Sequence, residues 1–354
     1  MAAGPQASLP DALGLDRLSS CAIIGMGKNA GKTTVLNHLV RALAGARPGR
    51  TLALTSIGRD GEEEDLVTGG IKPRIYIPKG TLIATARESL PAADAVLEIL
   101  AMTGIRTALG EVVIARARSR GYVELAGPAA AGDIACCETF FQEAAPDCLM
   151  LVDGALSRRS PAGGGLTQAA VLASGMAGAS TLEDWIARTK TQVRLLSLPP
   201  LNPSLQGKIR ELFRTDPKAR AVYVRGETLR KVLDMPSLAG HGKTVAEAVE
   251  KEDTGLFLRG ALTGRLLGEL LKNPDFSNSW LGTEDGTRFF LDEADLCRLD
   301  RARVIPYVLH ALDLRMVFVN PVRRDGSLGD SGAMLDLAAK SFKVPARDLG
   351  PALA

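Results

Sequence analysis

Residues 22–36 read AIIGMGKNAGKTTVL: an apolar run, a glycine-rich turn ending in Gly31-Lys32-Thr33-Thr34, and then a helical pattern. No other stretch limits the possible fold so tightly. A bound phosphate needs several backbone N–H donors converging on it. A tight loop entering a helix supplies them together with the positive end of the helix dipole. The segment Gly27, Lys28, Asn29, Ala30, Gly31, Lys32, Thr33 and Thr34 is therefore the expected nucleotide-binding loop. Lys32 is expected to reach the β- and γ-phosphates as a catalytic charge, and Thr33 to place its hydroxyl on a magnesium ion. The usual spacing GxxxxGK[ST] would put a glycine at position 26, where this chain has Met26 between Gly25 and Gly27. A glycine-rich turn with a chance lysine would explain the loop but would leave GKTT at the helix start unexplained.

The surroundings of the loop follow a strand–helix alternation. Expected strands are Cys21–Gly25, Leu52–Ile57, Glu111–Arg116, Tyr122–Leu125, Cys148–Asp153, Val193–Leu198, Ala221–Val224, Leu256–Leu258, Arg288–Leu291 and Arg315–Val319. Helix-compatible stretches between them include Thr33–Leu43, Leu90–Met102, Leu166–Thr189, Thr263–Leu271 and Ala333–Phe342. This alternation predicts an α/β fold: a three-layer core on a mainly parallel sheet, with a second, smaller α/β portion. At 354 residues there is room for about two domains. The prolines around Asn202 suggest a linker, which divides the chain into a flexible extension (1–20), a nucleotide-binding domain (21–200) and a second domain or sheet extension (201–354).

Carboxylates near a nucleotide's magnesium come from the ends of neighbouring strands. Asp153, closing the apolar run CLMLVD, is the first candidate metal ligand. Asp60, in TSIGRDGEEED after the second strand, is a second metal or water-positioning candidate, and Glu62 stands behind it as a catalytic alternative. A solvated acidic loop is the plainer account of that run.

Several basic residues lie near the expected site. Arg116 and Arg118 fall on an expected hairpin turning near Ser119–Gly121, and Arg158 and Arg159 follow Asp153. Each could grip a phosphate or simply be solvated, and Lys28 has the same two readings. His38 reads as a packing residue of the loop's helix. Guanine-specific proteins use an [NT]KxD loop. The nearest match, Thr189-Lys190-Thr191-Gln192, lacks the aspartate, so ATP is expected ahead of GTP.

Composition removes other classes. Lys and Arg number 43 against 40 Asp and Glu, a net charge of +3, which disfavours a nucleic-acid reader built on bulk charge. Five cysteines and three histidines, all scattered, do not write a structural zinc site. No apolar run approaches the roughly 18 residues of a membrane span. The first twenty residues contain Asp11 and Asp16 and do not resemble a secretory signal. A cytoplasmic protein with reduced thiols is expected, and a homodimer is one arrangement left open.

The stretch IIGMGKNAGKTT resembles the P-loop of the accessory nucleotidase of molybdopterin guanine dinucleotide biosynthesis, and VDGA resembles a strand end of dethiobiotin synthetase. Both are P-loop NTPases of the signal-recognition/MinD-like (SIMIBI) branch. The extra lysine of that branch's signature would fall at Gly27, not at Lys28. A longer set, TSIGRDGEEED, KPRIYIPKGTLIATA, GYVELAGP, VDGALSRRS and FVNP, is similar to the accessory P-loop proteins encoded beside lysine 5,6-aminomutase and ornithine aminomutase. That resemblance implies an ATP-driven chaperone that reactivates a cobalamin-dependent aminomutase. Nucleotide roles then fall on Lys32, Thr33, Asp60 and Asp153. The alternatives are a small-molecule kinase or ATP-dependent ligase, with Lys72, Lys79 or the arginines holding an acidic substrate; a GTPase-type cofactor-biosynthesis accessory protein; or a nucleotide-binding regulator without turnover.

Overall fold

The computed structural model describes residues 8–46, 50–57, 74–154 and 167–350. They form a mixed α/β protein built on large, mainly parallel sheets. Two compact units are present: one holds the described residues up to Ile186 and those from Asp313 onward, and the other holds Ala187–Leu312.

The first unit opens on a short helix, α1 (Leu9–Leu13), capped by Ser8. Leu9, Leu13, Leu15 and Leu18 are buried in the core, so the segment from Ser8 onward is not the flexible extension expected from its polarity. Strand β1 (Ser20–Gly25) is buried at every position. After it come α2 (Lys32–Ala46), β2 (Leu52–Ser56), β3 (Ile75–Ile77), β4 (Leu82–Ala86), β5 (Leu97–Thr107), β6 (Gly110–Ala117), β7 (Gly121–Val123), α3 (Ala131–Ala144), β8 (Leu149–Asp153) and β9 (Ala169–Gly175), and then α4 (Leu182–Leu196), which belongs to this unit up to Ile186 and to the second unit from Ala187.

Four expectations fail here for physical reasons. Leu90–Met102 is not a helix but a 3₁₀ turn running into β5, because the ladder to β6 captures the segment. The expected hairpin after β6 does not form. Strands β4 and β5 already occupy both edges of β6, so β7 pairs with β3 instead. The expected helix Leu166–Thr189 begins as the buried strand β9, and the expected strand Val193–Leu198 falls largely in the last turn of α4. Short runs that are buried all round carry no periodicity to separate strand from helix.

The second unit contains α5 (Pro203–Thr215), β10 (Ala219–Arg225), β11 (Thr228–Asp234), α6 (Gly242–Glu247), β12 (Gly255–Leu258), β13 (Leu262–Thr263), α7 (Gly264–Leu270), β14 (Trp280–Thr283), β15 (Phe289–Phe290), α8 (Glu293–Arg301) and β16 (Ile305–Val308). Its sheet runs β11-β10-β12-β14-β16, with β12, β14 and β16 mutually parallel. The proline-rich stretch read as a linker is a helix start. Asn202 Oδ1 accepts from Leu205 N at 2.9 Å, and Pro203 stands at the first helical position.

From Asp313 the chain belongs to the first unit again. Strand β17 (Leu314–Asn320) pairs with β9, α9 (Ser331–Ser341) follows, and β18 (Ala346–Asp348) pairs with β17. Residues 201–354, expected as a second domain or a sheet extension, thus divide between the two: residues up to Leu312 belong to the second unit, and β17 and β18 extend the first sheet. The complete sheet of the first unit is β18-β17-β9-β1-β8-β2-β4-β6-β5. It is parallel from β18 to β4 and antiparallel over β6 and β5. Strands β1, β2, β8, β9 and β17 thus end on one edge. Among the described residues no helix is long and apolar enough to cross a membrane.

Candidate functional site

Strand β1 lies between β8 and β9, and the chain leaves it at Gly25 to enter the loop that begins α2. The turn depends on left-handed backbone at two positions: Asn29 at φ 60° and Gly31 at φ 98°. Asparagine and glycine are the residues that tolerate this region. Met26 N donates to Ala173 O at 3.1 Å, which anchors the start of the loop on β9. Val35 N donates to Gly31 O at 2.9 Å, so the helix ladder begins directly behind the glycine. The N–H groups ahead of that bond lie in the first turn, whose donors an α-helix leaves unused.

The side chain of Lys32 lies back over Gly25. A Cβ at that glycine would sit 2.4 Å from Lys32 Cγ and 2.5 Å from Cδ. The ammonium ends 3.4 Å from Gly27 O, so its charge is folded onto the loop's own backbone. Gly25 is thus required for the path of the lysine, while at Gly27 an added Cβ would meet nothing within 4 Å. Lys28 and Asn29 are exposed, Ala30 is buried, and Lys32, Thr33 and Thr34 are half-buried.

Asp153 closes β8, with its backbone in register with Ile23 of β1 and Ser56 of β2. Leu149 and Leu151 share a core cluster with Val35, Leu36 and Leu39 of α2. The two-residue period of a strand therefore turns half-buried Asp153 toward the α2 side of the sheet. By the same count Ser56 faces that side, and its hydroxyl is used there. It donates to Leu125 O at 3.1 Å and accepts from Gly127 N at 3.0 Å. These bonds draw residues 125–127 across the end of β2, and a Cβ on Gly127 would collide with Ser56 O at 2.1 Å.

Sequence reasoning missed the residues that hold the loop from the other side. Asn320, the last residue of β17, donates from Nδ2 to Asn29 O at 3.2 Å. Its side chain stands 3.3 Å from where a Gly31 Cβ would be, and a Cβ on Gly175 at the end of β9 would approach Ala30 Cα to 3.2 Å. The only available signal was an asparagine before the proline in FVNP, with nothing in the sequence to bring it beside the loop.

The structure thus brings Lys32, Thr33 and Asp153 to one edge of the sheet. Asp60 and Glu62 lie outside the described residues, as do Lys72, Arg158 and Arg159. Arg118 is ion-paired to Glu98, and Arg116 donates to Ala144 O at 3.3 Å. Lys79 is exposed in the turn between β3 and β4. His38 is held below its ordinary pKa by burial, with Arg347 and Arg41 adding to the effect, as befits a packing residue that stays neutral.

No family model matches the chain, and no curated protein or solved structure matches it. The chemistry of this edge rests on its own residues. Magnesium fits the donor set, since a threonine hydroxyl and a carboxylate are hard oxygen ligands. Among the described residues no group of three or more His, Cys, Asp or Glu could cage a metal.

Proposed function

We propose that this chain is a P-loop NTPase of the signal-recognition/MinD-like branch, with the three-layer core of that class. It binds magnesium-complexed ATP, in preference to GTP, on the loop between β1 and α2. Hydrolysis drives a change in a protein partner. One observation carries the reading: Lys32 lies along a glycine-bordered loop, ammonium against Gly27 O, one strand away from Asp153. A triphosphate entering this loop would exchange that carbonyl contact for charge-assisted bonds to phosphate oxygens, which are stronger.

Each residue has a task that follows from its place. The first N–H groups of α2 and the loop backbone receive the phosphates. Lys32 neutralises their outer oxygens. Thr33 and Asp153 would hold magnesium, which when bound supplies positive charge against the phosphate chain. Asp60 or Glu62, following β2, would orient the attacking water. The resemblance to the accessory proteins of lysine 5,6-aminomutase and ornithine aminomutase supports a cobalamin-dependent aminomutase as the partner and its reactivation as the outcome.

The test is nucleotide binding and phosphate release by the purified chain, with ATP or GTP and with magnesium or a chelator. Magnesium-dependent ATP turnover that Lys32→Ala abolishes is the expected result. Unchanged ATP affinity in Lys32→Ala would overturn the assignment. Retention of an aminomutase subunit from cell extract in only one nucleotide state would support the partner, and an ATP-independent capture would not.

A further inference from the structure

The second unit carries a row of charge on the carboxyl edge of its parallel strands. Leu258, Thr283 and Val308 are in register at the ends of β12, β14 and β16. The next residues along the three chains are Arg259, Glu284 and Leu309. Leu309 N donates to Thr283 O at 2.9 Å and His310 N to Glu284 O at 2.9 Å, so the alignment persists past the strands. On the other side Arg259 N donates to Arg220 O at 2.7 Å, which adds Arg220 at the start of β10 to the row.

These side chains share one face. Phe257 and Leu309 lie in the cluster under α5, so the two-residue period places Arg259 and Glu284 on that face as well. The guanidinium of Arg259 is stacked 4.6 Å from the ring centroid of Phe213 on α5. Arg220 and Arg259 both donate to Pro217 O, at 2.8 and 3.3 Å, so the two guanidiniums converge on one point. Glu284 faces Arg288 at 3.5 Å, and its carboxyl is pushed above the usual range by burial. Asp285 is buried and committed to Thr287 N and Oγ1. His310 is held below its ordinary pKa mainly by burial, with Arg210 adding to the effect and Asp285 opposing it.

Other arginines of this unit find carboxylates: Arg194 with Asp300, Arg225 with Glu250, Arg230 with Asp253. Arg220 and Arg259 make no ion pair with a described carboxylate, although holding two guanidiniums together costs Coulomb energy. Three guanidiniums, from Arg220, Arg259 and Arg288, act on the carboxyl of Glu284, and Arg288 also faces Asp285, so three positive groups meet two carboxyls at this edge. Ligands of open α/β sheets sit at this edge of the strands, and a planar guanidinium fork matches phosphate oxygens.

We propose that the carboxyl edge of β12, β14 and β16 is a second ligand site, in which Arg220 and Arg259 hold the phosphate group of a small molecule. Inorganic phosphate is the probe, titrated calorimetrically at constant ionic strength into the full chain carrying Lys32→Ala, which silences the loop before α2. One phosphate per chain is expected, weakened about tenfold or more when Arg220→Gln and Arg259→Gln are added. Arg259→Lys keeps the charge and the packing stem but loses the fork. It should weaken binding by several-fold, and it serves if the double change disturbs the fold. Glycerol phosphate that displaces the probe would assign an ester ligand, and failure to displace it would assign free phosphate. Absence of phosphate binding in the Lys32→Ala chain, or binding indifferent to both arginine changes, would overturn the proposal.

Discussion

The side-chain amide of Asn320 donates to the carbonyl of Asn29 at 3.2 Å, across 291 residues of sequence. Its own Oδ1 accepts from Val322 N at 3.2 Å, so the amide is oriented from both ends. The loop proposed to receive phosphate is thereby fastened to the returning strand β17. Asn320→Ala should cost about 1 kcal/mol of stability and weaken ATP binding beyond that, because the loop loses its brace. Equilibrium unfolding together with ATP titration checks this. ATP affinity equal to that of the parent chain would show that the brace is unused.

Gly25 and Lys32 form a second pair. A methyl at position 25 would occupy the space of Lys32 Cγ and Cδ, so Gly25→Ala should displace the lysine and reduce ATP affinity toward that of Lys32→Ala. Loss of a charge-assisted bond of about 1.5–3 kcal/mol corresponds to roughly ten- to a hundredfold. Circular dichroism of Lys32→Ala should match the parent, since Lys32 is half-buried at the edge of the core.

Asp153→Asn keeps the size of the side chain and removes its charge. Nucleotide binding without magnesium should be nearly unchanged, whereas the gain in affinity on adding magnesium should shrink and turnover should fall. Titrating magnesium at fixed ATP separates the two effects, and a full magnesium response would remove Asp153 from the site.

Burial should make the cysteines differ in reactivity. Burial pushes the thiols of Cys21 and Cys137 up to about 12, and raises Cys148 as well, whereas Cys136 and Cys297 are exposed. Since the thiolate is the reactive form, a maleimide at pH 8 should label Cys136 and Cys297 in the native chain and the others only after unfolding. Mass spectrometry of the labelled peptides reads this directly.

Glu284 should make stability depend on pH. Burial raises its carboxyl in the folded state above the ordinary value. Well below that value the group is protonated in both states. As the pH rises past it, the unfolded chain ionises first and stability is lost. Glu284→Gln removes this loss, so its thermal midpoint should exceed that of the parent at pH 8 and match it near pH 4.

The segment AIIGMGKNAGKTTVL announced a strand, a turn and a helix because its apolar period changes at a glycine-rich break, and all three formed. Asp153 was legible for the same reason, as a charge closing a wholly apolar run. Those are local properties, set by side-chain spacing and backbone freedom within about fifteen residues. The neighbours of the loop were not local. Strand β9 was read as helix because a strand buried on both faces shows no alternation. Asn320 reaches Asn29 only because the chain leaves the first sheet, builds a separate unit, and returns to add β17 beside β9. Hydrogen-bond pairing between distant strands decides which ends share an edge, and that pairing depends on which partner is still open once the others have formed.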